Sequence, residues 1–148
     1  MQAFIILGAA ITLGAPAAKD ALKNDNDIVG EWVVESIQAN GKARSLGDEP
    51  LRYQLTADGK WSVYRGERKL DTGGRYAVDP KASPATIDLD PNPGADDTHV
   101  IAGIYKVEGD KLTWCQAFTS RPTRPTSFES TVDSGAALYV FKRAKPKK

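Results

Sequence analysis

With 148 residues, 41% of them hydrophobic and 26% charged, the chain is long enough for one domain with its own core and too apolar to be disordered. A net charge of +1 gives no reason to expect nucleic acid as a partner. A single cysteine, Cys115, rules out an internal disulfide, and one cysteine with one histidine nearly excludes a His/Cys zinc site built from this chain.

Residues 1–18 are apolar, with Phe4, Ile5, Ile6, Leu7, Ile11 and Leu13 among small residues. The run is too short and too rich in Gly and Ala for a comfortable membrane span. Ala15-Pro16-Ala17 fits the small-x-small pattern of a signal peptidase site, although Met1-Gln2 lacks the usual basic residue. The expectation is a signal peptide over 1–17 and an exported protein (periplasm, envelope or medium) whose mature chain begins near Ala18. The competing reading is a retained membrane anchor. Residues 18–27 are polar and read as a tether.

The folded domain is expected over 28–143. Residues 28–37 are β-branched and aromatic, with Trp32 and Val34, then Ser36 in the same alternation, on one face and Val33 and Ile37 on the other. Asn40-Gly41 is a strong turn signal. Leu51, Tyr53 and Leu55 alternate with Arg52 and Gln54, and after the Asp58-Gly59 turn Trp61, Val63 and Arg65 alternate with Ser62 and Tyr64. A return strand over 69–78 carries Gly73-Gly74, which predicts a bulge or bend. Ile87 and Leu89 face inward in the next strand, over 85–90, and 91–97 is a Pro/Gly/Asp loop. Residues 98–107 and 111–118 then form a hairpin about Gly109-Asp110, with Tyr105 and Val107 on one face and Leu112 and Trp114 on the matching face. Residues 119–134, with Pro122 and Pro125, read as a long irregular connection or a broken edge. Residues 137–143 make a last strand, apolar on both faces and so expected to be covered on both. Residues 144–148 form a basic tail.

About eight short strands joined by tight turns, with no long amphipathic helix, point to an all-β antiparallel meander. Such a meander closes into an up-and-down β-barrel that holds side chains or one small ligand, and closure removes its exposed edges.

An ordered set of motifs runs over 28–143: Val29-Gly-Glu-Trp-Val-Val34 with Asn40-Gly41-Lys42; Asp79-Pro80-Lys81 with Pro84 and Ile87-Asp88-Leu89; Gly103-Ile-Tyr105 with Gly109-Asp110, Leu112 and Cys115; Arg124-Pro125-Thr126 with Phe128; and Val140-Phe-Lys-Arg143. In these the chain resembles the planctomycete-type lipocalin-like domain, a family of small, often exported proteins with no assigned activity. Gly30-Glu31-Trp32 resembles the Gly-x-Trp signature of lipocalins. The resemblance implies a lipocalin-like barrel and no particular ligand. It also implies that Trp32, beside Gly30, packs near the closed end of the barrel beneath Arg143.

Candidate sites each have a plainer reading. Tyr53, Trp61, Tyr76, Tyr105 and Trp114 could line a cavity for a small apolar ligand, but aromatics at strand spacing more often form core. Asp88-x-Asp90-x-Asn92 copies the start of a calcium loop, then departs from it: glycine comes one position late, at Gly94, and His99 stands where a bidentate Glu belongs. Asp96-Asp97-Thr98-His99 pairs acids with a base but has no nucleophile beside it. Cys115 reads as a buried small hydrophobe. Arg121 and Arg124 sit in a Pro-stiffened loop and either bind an anion or pin the chain by bonding carbonyls. The lysines of 142–148 either touch an anionic surface or solvate the terminus. No catalytic constellation emerges, so an enzyme is not expected. No metal or cofactor is expected either, nor a membrane span once the leader is removed. The first expectation is a small-molecule-binding module; the second is a structural or protein-interaction domain with a filled barrel.

Overall fold

The computed structural model describes residues 27–94, 100–117 and 123–145. Its strands are β1 (Gly30–Ala39), β2 (Lys42–Ala43), β3 (Leu51–Leu55), β4 (Lys60–Arg65), β5 (Arg68–Asp79), β6 (Thr86–Asp90), β7 (Ile101–Glu108), β8 (Lys111–Ala117) and β9 (Ala136–Arg143). β1 pairs antiparallel with β3, each later strand with the next in sequence, and β9 returns to β1, with Trp32 opposite Arg143 and Ala39 opposite Ala137. Eight strands thus form a closed up-and-down β-barrel, consistent with a lipocalin-like one, and the two-residue β2 hangs from the end of β1. No helix occurs among the described residues. The signal-peptide segment, the Asp96–His99 cluster and Arg121 lie outside them.

The tight turns sit where the sequence puts them. Asn40 (φ +53°) and Gly41 (φ +73°) take the left-handed backbone that a two-residue hairpin between β1 and β2 requires. Gly109 (φ +63°) turns β7 into β8. Alternation then decides what faces inward. Trp32, Leu55, Ile87, Leu89, Leu112, Trp114 and Phe141 are each at most 2% exposed and belong to one core cluster. Burying a side chain of this size stabilises the fold by roughly 1.5–3 kcal/mol.

Two departures from simple alternation matter. In β1 the pairing with β9 slips between Val34 and Ser36. The expected Trp32–Val34–Ser36 face therefore ends at Val34: Ser36 is exposed, and Ile37 swings inward against the core. A bulge inserts one residue and reverses the faces beyond it, which alternation alone does not show. In β5 the predicted irregularity spans residues 70–72, because β4 pairs Ser62 with Gly73 and Tyr64 with Lys69. Gly73 and Gly74 sit beside it for lack of room: a Cβ on Gly74 would lie 2.0 Å from the Asp90 carbonyl oxygen, and one on Gly73 would lie 2.7 Å from that of Trp61.

The connection before β9 is not a broken edge. Its described part, 123–135, lies over the outer face of β7, β8 and β9. There Ile104, Cys115 and Ala136 form a second buried cluster with Phe128 and Leu138 against it. The last strand is accordingly covered on its outer face at Ala136 and Leu138, while Lys142 further along that face is exposed.

Candidate functional site

Strand direction gives the barrel two unlike ends. One carries the short turns at Gly59 and Gly109 and the approach of the chain through Asp27–Val29. The other carries the 44–50 segment and the longer links between β6 and β7 and between β8 and β9.

The first end is plugged. Trp32 is fully buried, and its indole N–H donates to the Ile28 carbonyl at 2.9 Å. The Arg143 guanidinium carbon lies 4.2 Å from the centre of the Trp32 ring. Its nitrogens donate to the Val29 carbonyl at 3.3 Å and the Asp27 carbonyl at 3.0 Å, and the Asp110 carboxylate stands 3.5 Å away. A cation held over an indole contributes on the order of 0.5–2 kcal/mol. Gly30 keeps the approach clear, since a Cβ there would come within 3.1 Å of Arg143 Nη1. Gly30, Trp32 and Arg143 therefore meet in one place and staple the first strand to the last.

At the other end the interior is packed less tightly. The inward-facing Ile37, Tyr53, Leu70, Ile101 and Tyr139, together with Leu46 from the connection, are only part-buried against the core. Tyr53 is the hub of the rings here. It stacks near Trp61 at 6.3 Å, meets Trp114 edge-on at 5.5 Å and Phe141 at 5.2 Å, and lies 6.2 Å from Tyr139. Burial, and then the neighbouring Tyr139 hydroxyl with which it shares a hydrogen bond, push the Tyr53 phenol well above its ordinary range; burial also raises Tyr139. Both phenols are thus uncharged hydrogen-bonding groups at any physiological pH. Trp114 donates its indole N–H to Gln116 Oε1 at 2.7 Å. Trp61 differs from both other tryptophans: its indole N–H is buried and has no hydrogen-bond partner among the described residues.

The five aromatics singled out in the sequence do not gather around one space. Trp61, Tyr76, Tyr105 and Trp114 are buried, and the Tyr76 hydroxyl donates to the Thr56 carbonyl at 2.7 Å. Only Tyr53 among them reaches solvent. Its partner Tyr139 was not among the candidates, although its place in a strand apolar on both faces is the signal that could have found it.

Arg124, the described acids of the calcium-like stretch and Cys115 have structural roles. Arg124 donates to the Gly103 carbonyl at 2.8 Å and to Asp88 Oδ1 at 2.7 Å, so it pins the 123–135 segment across β6 and β7. This engages the first acid of the calcium-like stretch. The second, Asp90, accepts the Asn92 backbone N–H at 3.0 Å. Among the described residues no group of three or more His, Cys, Asp or Glu side chains could hold a metal. Cys115 is buried, its thiol donates to the Glu129 carbonyl at 3.4 Å, and burial pushes its pKa up, away from the reactive thiolate.

Comparison with protein-family models, with curated proteins and with solved structures finds no match for this chain.

Proposed function

We propose that this protein is an exported, lipocalin-like, non-catalytic binding module that takes a small apolar ligand carrying one polar atom at its open end. The observation that carries the reading is the part-exposed Tyr53–Tyr139 pair, two phenols kept neutral by burial, with Ile37, Leu46, Leu70 and Ile101 likewise only part-buried against the core. An apolar rim with few convergent polar groups is the usual makeup of a small-molecule site. The resemblance of the ordered motifs to the planctomycete-type lipocalin-like domain supports the lipocalin-like part of this reading and implies no particular ligand. Export rests on the Ala15-Pro16-Ala17 motif, and amino-terminal sequencing of exported protein should begin near Ala18.

The test is titration with an environment-sensitive hydrophobic dye, followed by displacement with extracts of the native surroundings. The full chain should bind dye, and Tyr53→Ala with Tyr139→Ala should lose that binding while remaining folded. A specific observation favours a second reading: the rings of Tyr53, Trp114, Tyr139 and Phe141 touch one another at 5.2–6.2 Å and fill the barrel between them. If the folded chain binds no dye, the protein is a filled-barrel structural or interaction domain.

A further inference from the structure

A groove of about 450 Å³ lies on the outer wall, where β1, β3 and β9 run side by side. Its floor is apolar: Val33 from β1, Pro50 just before β3 and Ala144 just after β9. Val33 pairs with Lys142 on one side and with Arg52 on the other, so two long basic side chains flank the floor in one row across the sheet.

Their charges are not equivalent. Arg52 is tied to the Glu31 carboxylate and donates to the Gly66 carbonyl at 2.7 Å. Arg143, which also borders the groove, is engaged over Trp32. Lys142 and Lys145 are exposed, and among the described residues neither forms an ion pair. The one further carboxylate in the lining is Glu67, on the turn between β4 and β5. The sequence continues from this rim as Pro146-Lys147-Lys148, outside the described residues.

We infer that this groove binds an anionic amphiphile, with its carboxylate or phosphate on Lys142 and Lys145 and its chain along Val33, Pro50 and Ala144. A bare anion would leave the floor wetted and unused, because no side chain there donates a hydrogen bond. A peptide could not add as a strand, since the backbone at Val33 is paired on both sides. An uncharged lipid would leave two ammonium groups without counter-charge beside its chain. A chain with an anionic head answers both features.

The experiment is calorimetric titration of the full chain with dodecanoate and dodecyl phosphate below micellar concentration, beside dodecanol and inorganic phosphate. Both anionic amphiphiles should bind at least about tenfold more tightly than either half alone, a separation that calorimetry resolves easily. Lys142→Glu with Lys145→Glu should abolish that advantage, and Val33→Asp should do the same from the floor. Both lysines project into solvent, so unchanged circular dichroism and melting of the double variant provide the folding control. Sedimentation with phosphatidylcholine vesicles, with and without phosphatidylglycerol, separates the sources. Binding of monomers assigns a free amphiphile, and binding of phosphatidylglycerol vesicles alone assigns a bilayer headgroup. Inorganic phosphate binding as tightly as dodecyl phosphate would overturn the inference. So would amphiphile binding that survives the double charge reversal. If such surviving binding is lost in Tyr53→Ala with Tyr139→Ala, the open-end reading stands and the groove falls.

Discussion

The wall made by β7, β8 and β9 carries a second layer over part of its outer face, whereas the wall made by β3, β4 and β5 is covered only from within. On the first, Tyr105, Trp114 and Phe141 face the barrel core while Ile104, Cys115 and Leu138 face a second cluster under Phe128. On the second, Leu55, Trp61 and Val63 face the core, but Gln54 and Lys69 meet water directly. The pairing follows the covering. From β7 through β9 the register runs without a slip, while β4 and β5 lose register between Ser62 and Tyr64. A slip of one residue exchanges the two faces of a strand. Where both faces are buried, that exchange costs contacts twice; where one is solvated, a bulge can absorb it.

The largest effect should come from adding a methyl group where the strands have no space. Gly74→Ala would set a Cβ 2.0 Å from the Asp90 oxygen, and Gly103→Ala would set one 2.8 Å from the Cys115 oxygen and 3.2 Å from Ile87 Cγ2. From these distances Gly74→Ala is expected to cost about 3 kcal/mol or more and Gly103→Ala about 2 kcal/mol, read from denaturant midpoints. If the order reverses, the one-sided wall yields more readily than its distances imply, and the contrast between the walls is sharper than drawn. Next, Arg124→Ala should cost about 1–3 kcal/mol, because it removes a charged donor shared by a carbonyl and a carboxylate. It should also speed thiol labelling of Cys115. Labelling that stays slow would mean that the strap holds without its clamp, and that the second layer rests on Phe128.

Arg143→Ala tests the seam where the walls meet, with an expected loss of about 0.5–2 kcal/mol and no change in dye binding at the open end. A neutral result would show that strand pairing alone closes the barrel. The pH dependence is gentler and comes from the open end. The folded state holds the Tyr53 and Tyr139 protons more tightly than an unfolded chain, whose phenols titrate near 10.0. Their contribution is complete below that pH and is lost progressively above it, by at most about 1.4 kcal/mol per pH unit for each phenol. Tyr53→Phe should flatten the slope of stability measured between neutral pH and the alkaline range. The smallest change expected is Lys60→Ala, on the one-sided wall. Its pair with Asp58 is exposed on both sides, so the melting temperature should stay almost unchanged.

Much of this architecture is legible in the chain. Alternation marks Leu51-Tyr53-Leu55, Trp61-Val63 and Ile87-Leu89, because a strand that is half buried records its burial every second residue. Asn40-Gly41 and Gly109 mark their turns, because few other residues take a positive φ without strain. Arg124 was readable as a pin on carbonyls from the prolines around it, though nothing local names Gly103 or Asp88 as its partners. The open end was harder to read. Spacing puts five aromatics on inward faces but does not say that four are sealed while Tyr53 reaches water beside Tyr139. That depends on which strand lies next to which after the barrel has closed.

The sequence by itself determined that this protein is an all-β meander whose strands each carry an apolar face, the last one two, since periodicity and turn chemistry are local properties. Only the tertiary structure decided where the bulge at Val34–Ser36 turns Ile37 inward, which wall gains a second layer, and which rings remain within reach of solvent. Those outcomes depend on distances between residues about a hundred positions apart, fixed only when β9 hydrogen-bonds to β1.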